Sequence, residues 1–144
     1  MSDLPLGYLL TDDQSQIDAA AAHAYLTRSY WSPGISLELV SRALENSLAV
    51  AIMFGGEQIA MARVVTDKAT FAYLADVYVL EEHRGKGLSK TMVLALHNHP
   101  ELQGLRRWVL FTVDAHWAYE KLGWTALAHP ERGMERVFPD VYNS

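Results

Sequence analysis

The most informative segment for function is a glycine loop, Arg84-Gly85-Lys86-Gly87, in a chain of 144 residues. The run before it, residues 70–80, is rich in Tyr, Val, Phe and Leu and predicts a strand, and residues 91–97 predict a helix. The first N–H groups of a helix have no partners inside it and lie at the positive end of its dipole. Glycines let a ligand approach these groups closely, and Arg84, Lys86 and Lys90 add positive charge. The loop therefore predicts a phosphate or pyrophosphate site.

The loop departs from both common nucleotide-binding patterns. A Walker loop has four residues between its glycines and a lysine directly after the second, whereas one residue separates Gly85 from Gly87 here and Leu88 follows. The dinucleotide pattern needs a third glycine where Lys90 stands. A tight turn with solvated lysines is the competing interpretation.

Three segments resemble the GNAT N-acetyltransferases. The loop from Arg84 to Ser89 resembles that family's acetyl-CoA loop, and Val77-Tyr78-Val79 resembles its fourth-strand signature. The segment from Tyr119 to Trp124 resembles the family's Tyr-Glu-Lys-x-Gly-Phe sequence, with Trp in place of Phe, and Ser89 stands where Gly or Ala is usual. Their order and spacing match over about residues 48–127. The resemblance implies one N-acetyltransferase domain over residues 1–144, with acetyl-CoA as co-substrate.

The same resemblance assigns residues to the coenzyme. Backbone groups of the strand are expected to pair with the pantetheine arm, and one N–H there to polarise the thioester carbonyl. Backbone N–H groups of the loop are expected to bind the pyrophosphate. The predicted cofactor-binding residues are Val77, Tyr78, Val79, Arg84, Gly85, Lys86, Gly87, Leu88, Ser89 and Lys90.

Two residues are predicted to be catalytic. Tyr119 matches the family's general acid, and a phenol with a pKa near 10 is a suitable donor to a thiolate. Asp76 lies within an apolar run, where a carboxylate must either face a cavity or be paired, so it is the predicted base or amine-binding group. A structural pairing of Asp76 is the competing interpretation, and His116, Asp114 and a water chain are alternative bases.

An aromatic loop at Tyr30 and Trp31 is predicted to contact the acceptor, because the corresponding loop of the GNAT fold walls the acceptor site. His116 is a further predicted substrate contact. The competing interpretation of the aromatic loop is a hydrophobic lid packed on the core. His97 and His99 lie at the end of a predicted helix, where histidines are more often solvated than bound to a metal, so no metal site is predicted.

Composition narrows the class of protein. Apolar residues make up 50% and charged residues 20%, which is typical of a globular domain. The net charge of −5 disfavours nucleic acid as a partner, and the absence of cysteine excludes disulfides and a cysteine nucleophile. No segment is predicted to enter a membrane, and the protein is expected to be cytoplasmic.

The predicted fold class is α/β (α+β), a mixed and mostly antiparallel central sheet with helices on both faces. Thr11 and Gln14 match a capping box that would begin a helix running to about Arg28, and Ser36 is the predicted cap of a second helix. Gly55 and Gly56 predict a hairpin. The predicted strands cover residues 7–10, 48–54, 58–65, 70–80, 108–113, 124–128 and 134–137, and a short helix covers 115–122.

The resulting hypothesis is transfer of acetyl from acetyl-CoA to a primary amine of a small molecule. The alternatives are an acyl-CoA-binding sensor or regulatory module without catalysis, and a phosphate-binding protein that uses the same loop. A homodimer through the apolar tail is left open.

Overall fold

The computed structural model describes residues 4–143. Five strands form one sheet in the order of the chain. The first four strands are antiparallel, and the last pair is parallel. The strands are β1 (Tyr8–Thr11), β2 (Leu48–Phe54), β3 (Glu57–Thr66), β4 (Phe71–Val79) and β5 (Arg107–Val109), and the helices are α1 (Ala19–Leu26), α2 (Leu37–Glu45), α3 (Leu88–His97) and α4 (His116–Glu120).

The predicted hairpin is confirmed. Gly55 and Gly56 join β2 to β3 with φ values of +60° and +81°, a conformation that costs glycine nothing and a side chain much more. Ser36 caps α2 as predicted, because its Oγ accepts a hydrogen bond from the N–H of Leu39 at 3.2 Å.

Helices cover both faces of the sheet, which confirms the predicted fold class. Met92 and Leu96 of α3 are fully buried and belong to a core cluster with side chains of β2 and β3. On the opposite face, Leu26 of α1 and Val40 of α2 pack in a second cluster with Met61 of β3. Successive strand residues face opposite sides of a sheet, so the central strands supply both clusters.

The predicted capping box at Thr11 and Gln14 is wrong. Thr11 ends β1, and the cap of α1 is Asp18, whose carboxylate accepts a hydrogen bond from the N–H of Ala21 at 3.0 Å. The Gln14 amide instead exchanges two hydrogen bonds with the backbone of Ala49, at 2.8 and 2.9 Å. The Gln14 side chain thus pairs with the backbone N–H and carbonyl of β2 beyond the point where β1 ends. The helix α1 begins eight residues after Thr11.

The predictions for the C-terminal third are partly wrong. The strand predicted at 108–113 is shortened to β5, and the predicted short helix is confirmed only as α4. Residues 124–128 and 134–137 form no strand, and in the described chain they do not add to either edge of the sheet. A strand exists only where a neighbour supplies its hydrogen bonds, and alternating apolar residues do not provide that neighbour.

None of the helices within residues 4–143 is long and apolar enough to cross a membrane.

Candidate active site

A gap between β4 and β5 creates the principal cavity. The two strands pair over only three positions, from Phe71 with Arg107 to Tyr73 with Val109. Beyond Tyr73 the strands separate, so the second half of β4 has an open edge. A cavity of about 510 Å³ occupies this gap, and residues 74–79 form one of its walls.

A bulge interrupts β4 in the middle of that wall. Met61 faces Tyr78 while Arg63 faces Ala75, so two residues of β4 stand opposite one of β3. Asp76 is in the bulge and has a φ of +54°, in the left-handed region that few non-glycine residues adopt. The surrounding ladder must hold this strained conformation, which is a common feature of functional sites.

Asp76 is paired in the structure. Its Oδ2 accepts a hydrogen bond from Nε of Arg63 at 2.6 Å, and its Oδ1 accepts one from Nε1 of Trp31 at 2.8 Å. Arg63 also donates from Nη1 to Oγ of Ser47 at 2.9 Å. The Asp76 and Arg63 side chains are only 13% and 16% exposed. Both carboxylate oxygens are therefore already engaged by donors from other parts of the chain.

Tyr119 lines the cavity from the last turn of α4. Its ring packs edge-to-face on Trp124, with 5.9 Å between the ring centroids. Burial raises the pKa of Tyr119, and the nearby Tyr30 phenol raises it further. The phenol therefore keeps its proton at neutral pH, the form in which it can act as an acid.

The glycine loop leaves the N-terminus of α3 open. Gly85 and Gly87 have φ values of +81° and +75°, and a Cβ at either position would meet no atom within 4 Å. Gly87 is the N-cap of α3, and no side chain of the described residues accepts a hydrogen bond from its first N–H groups. The loop thus presents backbone donors beside free space, as an anion site requires.

The three basic side chains of the loop behave differently. Arg84 folds back, because its Nε donates to the carbonyl of Val79 at 2.9 Å and its Nη2 to the hydroxyl of Tyr25 at 3.0 Å. Lys86 and Lys90 are exposed and do not line the cavity. Arg84 therefore fastens the loop to the end of β4, while the two lysines contribute charge at its outer side.

An aromatic wall faces the strands across the cavity. Tyr30 packs edge-to-face on Trp31, with 5.1 Å between centroids, and both residues line the cavity. Tyr25 stacks on Tyr78 of β4, with centroids 4.4 Å apart and planes within 9°. Tyr30 and Trp31 remain 66% and 39% exposed, so they are not a lid buried in the core. His116 does not line the cavity.

Comparison with known proteins identifies the family. The family profile described as acetyltransferase (GNAT) domain matches residues 45–126, more than half of the chain. This chain belongs to the GNAT acetyltransferase family.

Individual relatives agree with the family match. The crystal structure of a candidate GNAT acetyltransferase from Xanthomonas campestris pv. campestris is 44% identical, with a TM-score of 0.93 over 98% of this chain and 99% of that one. A candidate acetyltransferase from Gibberella zeae is 32% identical over an alignment that covers 74% of this chain and 72% of that protein. The fold is also shared with glucosamine-6-phosphate N-acetyltransferase from Arabidopsis thaliana, at 19% identity and a TM-score of 0.67 over 91% of this chain and 98% of that one.

The coenzyme of the GNAT family fits the open features of this site. An extended chain can pair with the free edge of β4 as an added strand would. The uncapped start of α3 lies beside the same cavity, since Gly87, Leu88 and Ser89 line it together with Val77 and Val79. One cavity thus offers a strand edge for an extended arm and N–H donors for a diphosphate.

Sequence reasoning missed several residues that line this GNAT site, namely Tyr25, Tyr73, His83 and Phe111. Tyr73 could have been found, because it alternates with the buried Ala72 and Leu74 and so faces the other side of the strand. Phe111 gave no such signal, because its position depends on where β5 ends.

The two histidines considered for metal binding have other contacts. The Nε2 of His97 accepts a hydrogen bond from the Trp124 indole at 3.1 Å, and burial lowers the pKa of His97. The Nδ1 of His99 accepts one from the N–H of Glu101 at 3.1 Å. Across residues 4–143 no three His, Asp or Glu side chains are grouped so that they could hold a metal ion.

Proposed function

We propose that this GNAT protein transfers the acetyl group of acetyl-CoA to a primary amine of a small molecule. The observation that carries the proposal is that one cavity joins the open edge of β4, the uncapped start of α3 and Tyr119. These features correspond to a site for the pantetheine arm, a site for the diphosphate and a general acid for the leaving thiolate.

The roles of the chain in coenzyme binding follow from the backbone. Residues 77–79 bind the pantetheine arm through strand-like hydrogen bonds, and an N–H of this segment polarises the thioester carbonyl. Residues 85–90 bind the pyrophosphate through their N–H groups, with Lys86 and Lys90 adding positive charge. When bound, acetyl-CoA supplies an activated acetyl thioester.

The transfer moves two protons: the amine nitrogen loses one, and the leaving sulfur gains one. The neutral amine nitrogen forms a bond to the acetyl carbon and loses one proton, while the carbon–sulfur bond breaks with its electron pair on sulfur. Tyr119 donates the proton that the leaving sulfur needs and is reprotonated from solvent. The proton lost by nitrogen passes to water, so the products are an N-acetyl amine and free CoA thiol.

Asp76 acts on the amine by charge and by position. Both of its oxygens accept hydrogen bonds, which supports a role in orienting Trp31 and attracting the amine over a role as the proton acceptor. Asp114 also lines the cavity and lies at the exposed end, where water can carry the proton away. His116 acts from outside the cavity, as a contact for acceptors that extend beyond it.

A thiol-release assay tests the proposed reaction. Acetyl-CoA is incubated with the protein and with primary amines of several classes, and the acetylated product is identified by mass spectrometry. Amine-dependent thiol release is expected. Tight CoA binding with no release for any amine would favour the alternative, a non-catalytic acyl-CoA sensor. Tyr119 in the cavity supports the enzyme, since a pure binder needs no proton donor there.

Two copies of the chain are proposed to pair through the C-terminal segment. The apolar side chains of Met134, Val137 and Phe138 are 99%, 66% and 62% exposed, and β5 is an edge strand. Burying such a patch and covering such an edge both favour association with a second copy. Light scattering of the full chain is expected to give twice the monomer mass, and a monomer at micromolar concentration would contradict the pairing. A cytoplasmic location stays a prediction.

A further inference from the structure

The two ends of the cavity carry opposite charge. Among the described residues that line it, the basic side chains are those of Arg84 and His83, and both lie at the end of the glycine loop. The carboxylates that line it are those of Asp76, in the bulge and paired with Arg63, and of Asp114, which follows β5 and is exposed. The cationic end suits a diphosphate, and the anionic end faces the other reactant.

The arginine beside Asp76 and the arginine of the glycine loop are already engaged. Arg63 donates to Asp76 and to Ser47, at 2.6 and 2.9 Å. Arg84 donates to the Val79 carbonyl and the Tyr25 hydroxyl. An acceptor that carries a carboxylate or a phosphate would therefore lose its hydration without gaining a free guanidinium, which is costly.

Aromatic rings line the acceptor end from two sides. Tyr30 and Trp31 come from the loop between α1 and α2, and Tyr73 and Phe111 come from the separating strands. Within each pair the rings meet edge-to-face, with centroids 5.1 and 5.8 Å apart. Edge-to-face pairs leave ring faces available, and Phe111 is 79% exposed. Such faces attract flat apolar groups and cations alike.

We infer that the acceptor is a primary amine carried on an aromatic body with no anionic group, an arylalkylamine. The inference rests on the proposed acetyl transfer and names its substrate class. The ring of the acceptor packs between the Tyr30–Trp31 wall and the Tyr73–Phe111 wall, and its ammonium is drawn toward Asp76 and Asp114 before it loses a proton.

Matched acceptors test the substrate class. Initial rates of thiol release are measured with phenethylamine, with L-phenylalanine, which adds a carboxylate, with n-butylamine, which lacks the ring, and with glucosamine 6-phosphate. The kcat/KM for phenethylamine is expected to exceed each of the other three at least tenfold. Equal or higher efficiency with phenylalanine, butylamine or the amino sugar would overturn the arylalkylamine inference and leave acetyl transfer standing. No release with any amine, despite CoA binding by calorimetry, would overturn both.

Two tryptophan variants test the binding wall. Trp31→Ala is expected to raise the KM for phenethylamine about tenfold, because the variant loses a ring face that holds the cation. The KM for acetyl-CoA should change little. Trp117→Ala is the matched control, because Trp117 is 62% exposed and does not line the cavity. An unchanged amine KM in Trp31→Ala, or an equal rise in both variants, would contradict the proposed wall.

Discussion

Trp31 and Asp76 are joined by a 2.8 Å hydrogen bond from the indole Nε1 to Oδ1, although 45 positions separate them in the chain. The bond links the loop after α1 to the strained bulge of β4. Arg63 holds the other carboxylate oxygen, so one side chain fixes a loop, a bulge and a neighbouring strand together. Asp76 thus connects the aromatic loop, proposed to contact the acceptor, to the strand proposed to bind the coenzyme.

Asp76→Asn is expected to lower stability. Asparagine tolerates the left-handed backbone and still accepts from Trp31, so the change removes mainly the charge opposite Arg63. Because this pair is largely shielded from water, we expect a loss of about 1–3 kcal/mol in urea unfolding. Glu38→Gln breaks the exposed ion pair with Arg42 and should cost less than about 0.5 kcal/mol. An equal loss of unfolding free energy in the two variants would show that the Asp76–Arg63 pair stabilises the protein no more than an exposed ion pair does.

The same variant separates the roles of Asp76 in catalysis. If Asp76 orients and attracts the amine, the pH–rate profile of Asp76→Asn keeps its acidic limb while its KM for the amine rises. Disappearance of the acidic limb would instead identify Asp76 as the general base.

Tyr119→Phe is expected to lower kcat about 100-fold, because the leaving sulfur loses its proton donor. The KM for acetyl-CoA should change little, since the ring and its packing on Trp124 remain. Tyr142→Phe is the control, because Tyr142 lies outside the main cavity. A kcat that Tyr119→Phe leaves unaltered removes Tyr119 from the mechanism.

Gly87→Val is expected to abolish measurable CoA binding in calorimetry, because its side chain occupies the open space beside the start of α3. The left-handed backbone at this position also makes the variant less stable. Gly56→Val provides a matched control, since Gly56 has a φ of +81°, an equally open surround and a place in the β2–β3 hairpin. Both variants should lose similar stability, and only Gly87→Val should lose CoA. Normal binding by Gly87→Val would place the diphosphate elsewhere.

Tyr78 should make the protein sensitive to alkali. Burial raises the pKa of Tyr78 to about 12, above the value near 10 of an unfolded chain. The neutral phenol is therefore favoured by folding. The preference of the fold for the neutral phenol stabilises the protein fully below pH 10. This stabilisation is lost as the pH rises toward 12, and the free energy of unfolding falls by about 3 kcal/mol in all. Urea unfolding between pH 8 and 12 measures the effect. Tyr78→Phe loses the bond from Gln58 but should flatten this decline, and a decline equally steep in the variant would assign it to other groups.

The sequence predicted what depends on neighbouring residues and missed what depends on distant ones. Gly55 and Gly56 specify their hairpin locally, and so does the glycine loop before α3. Thr11 and Asp18 are both acceptable helix caps, and only the pairing of Gln14 with β2 decides between them. The partner of Asp76 depends on a register shift opposite Arg63, which no spacing reveals. The strands predicted in the C-terminal segment do not pair with the sheet, and periodicity alone does not show whether a segment will pair.

Because β4 and β5 pair over only three positions, the rest of the β4 edge facing β5 has no neighbouring strand. Amide groups of residues 74–79 that point into the gap exchange hydrogen with solvent until a guest chain covers them. Adding CoA should therefore slow deuterium uptake in this segment and leave β2, already flanked by two strands, unaffected. If the coenzyme pairs with β4 as proposed, its binding is measurable from backbone exchange without following any reaction.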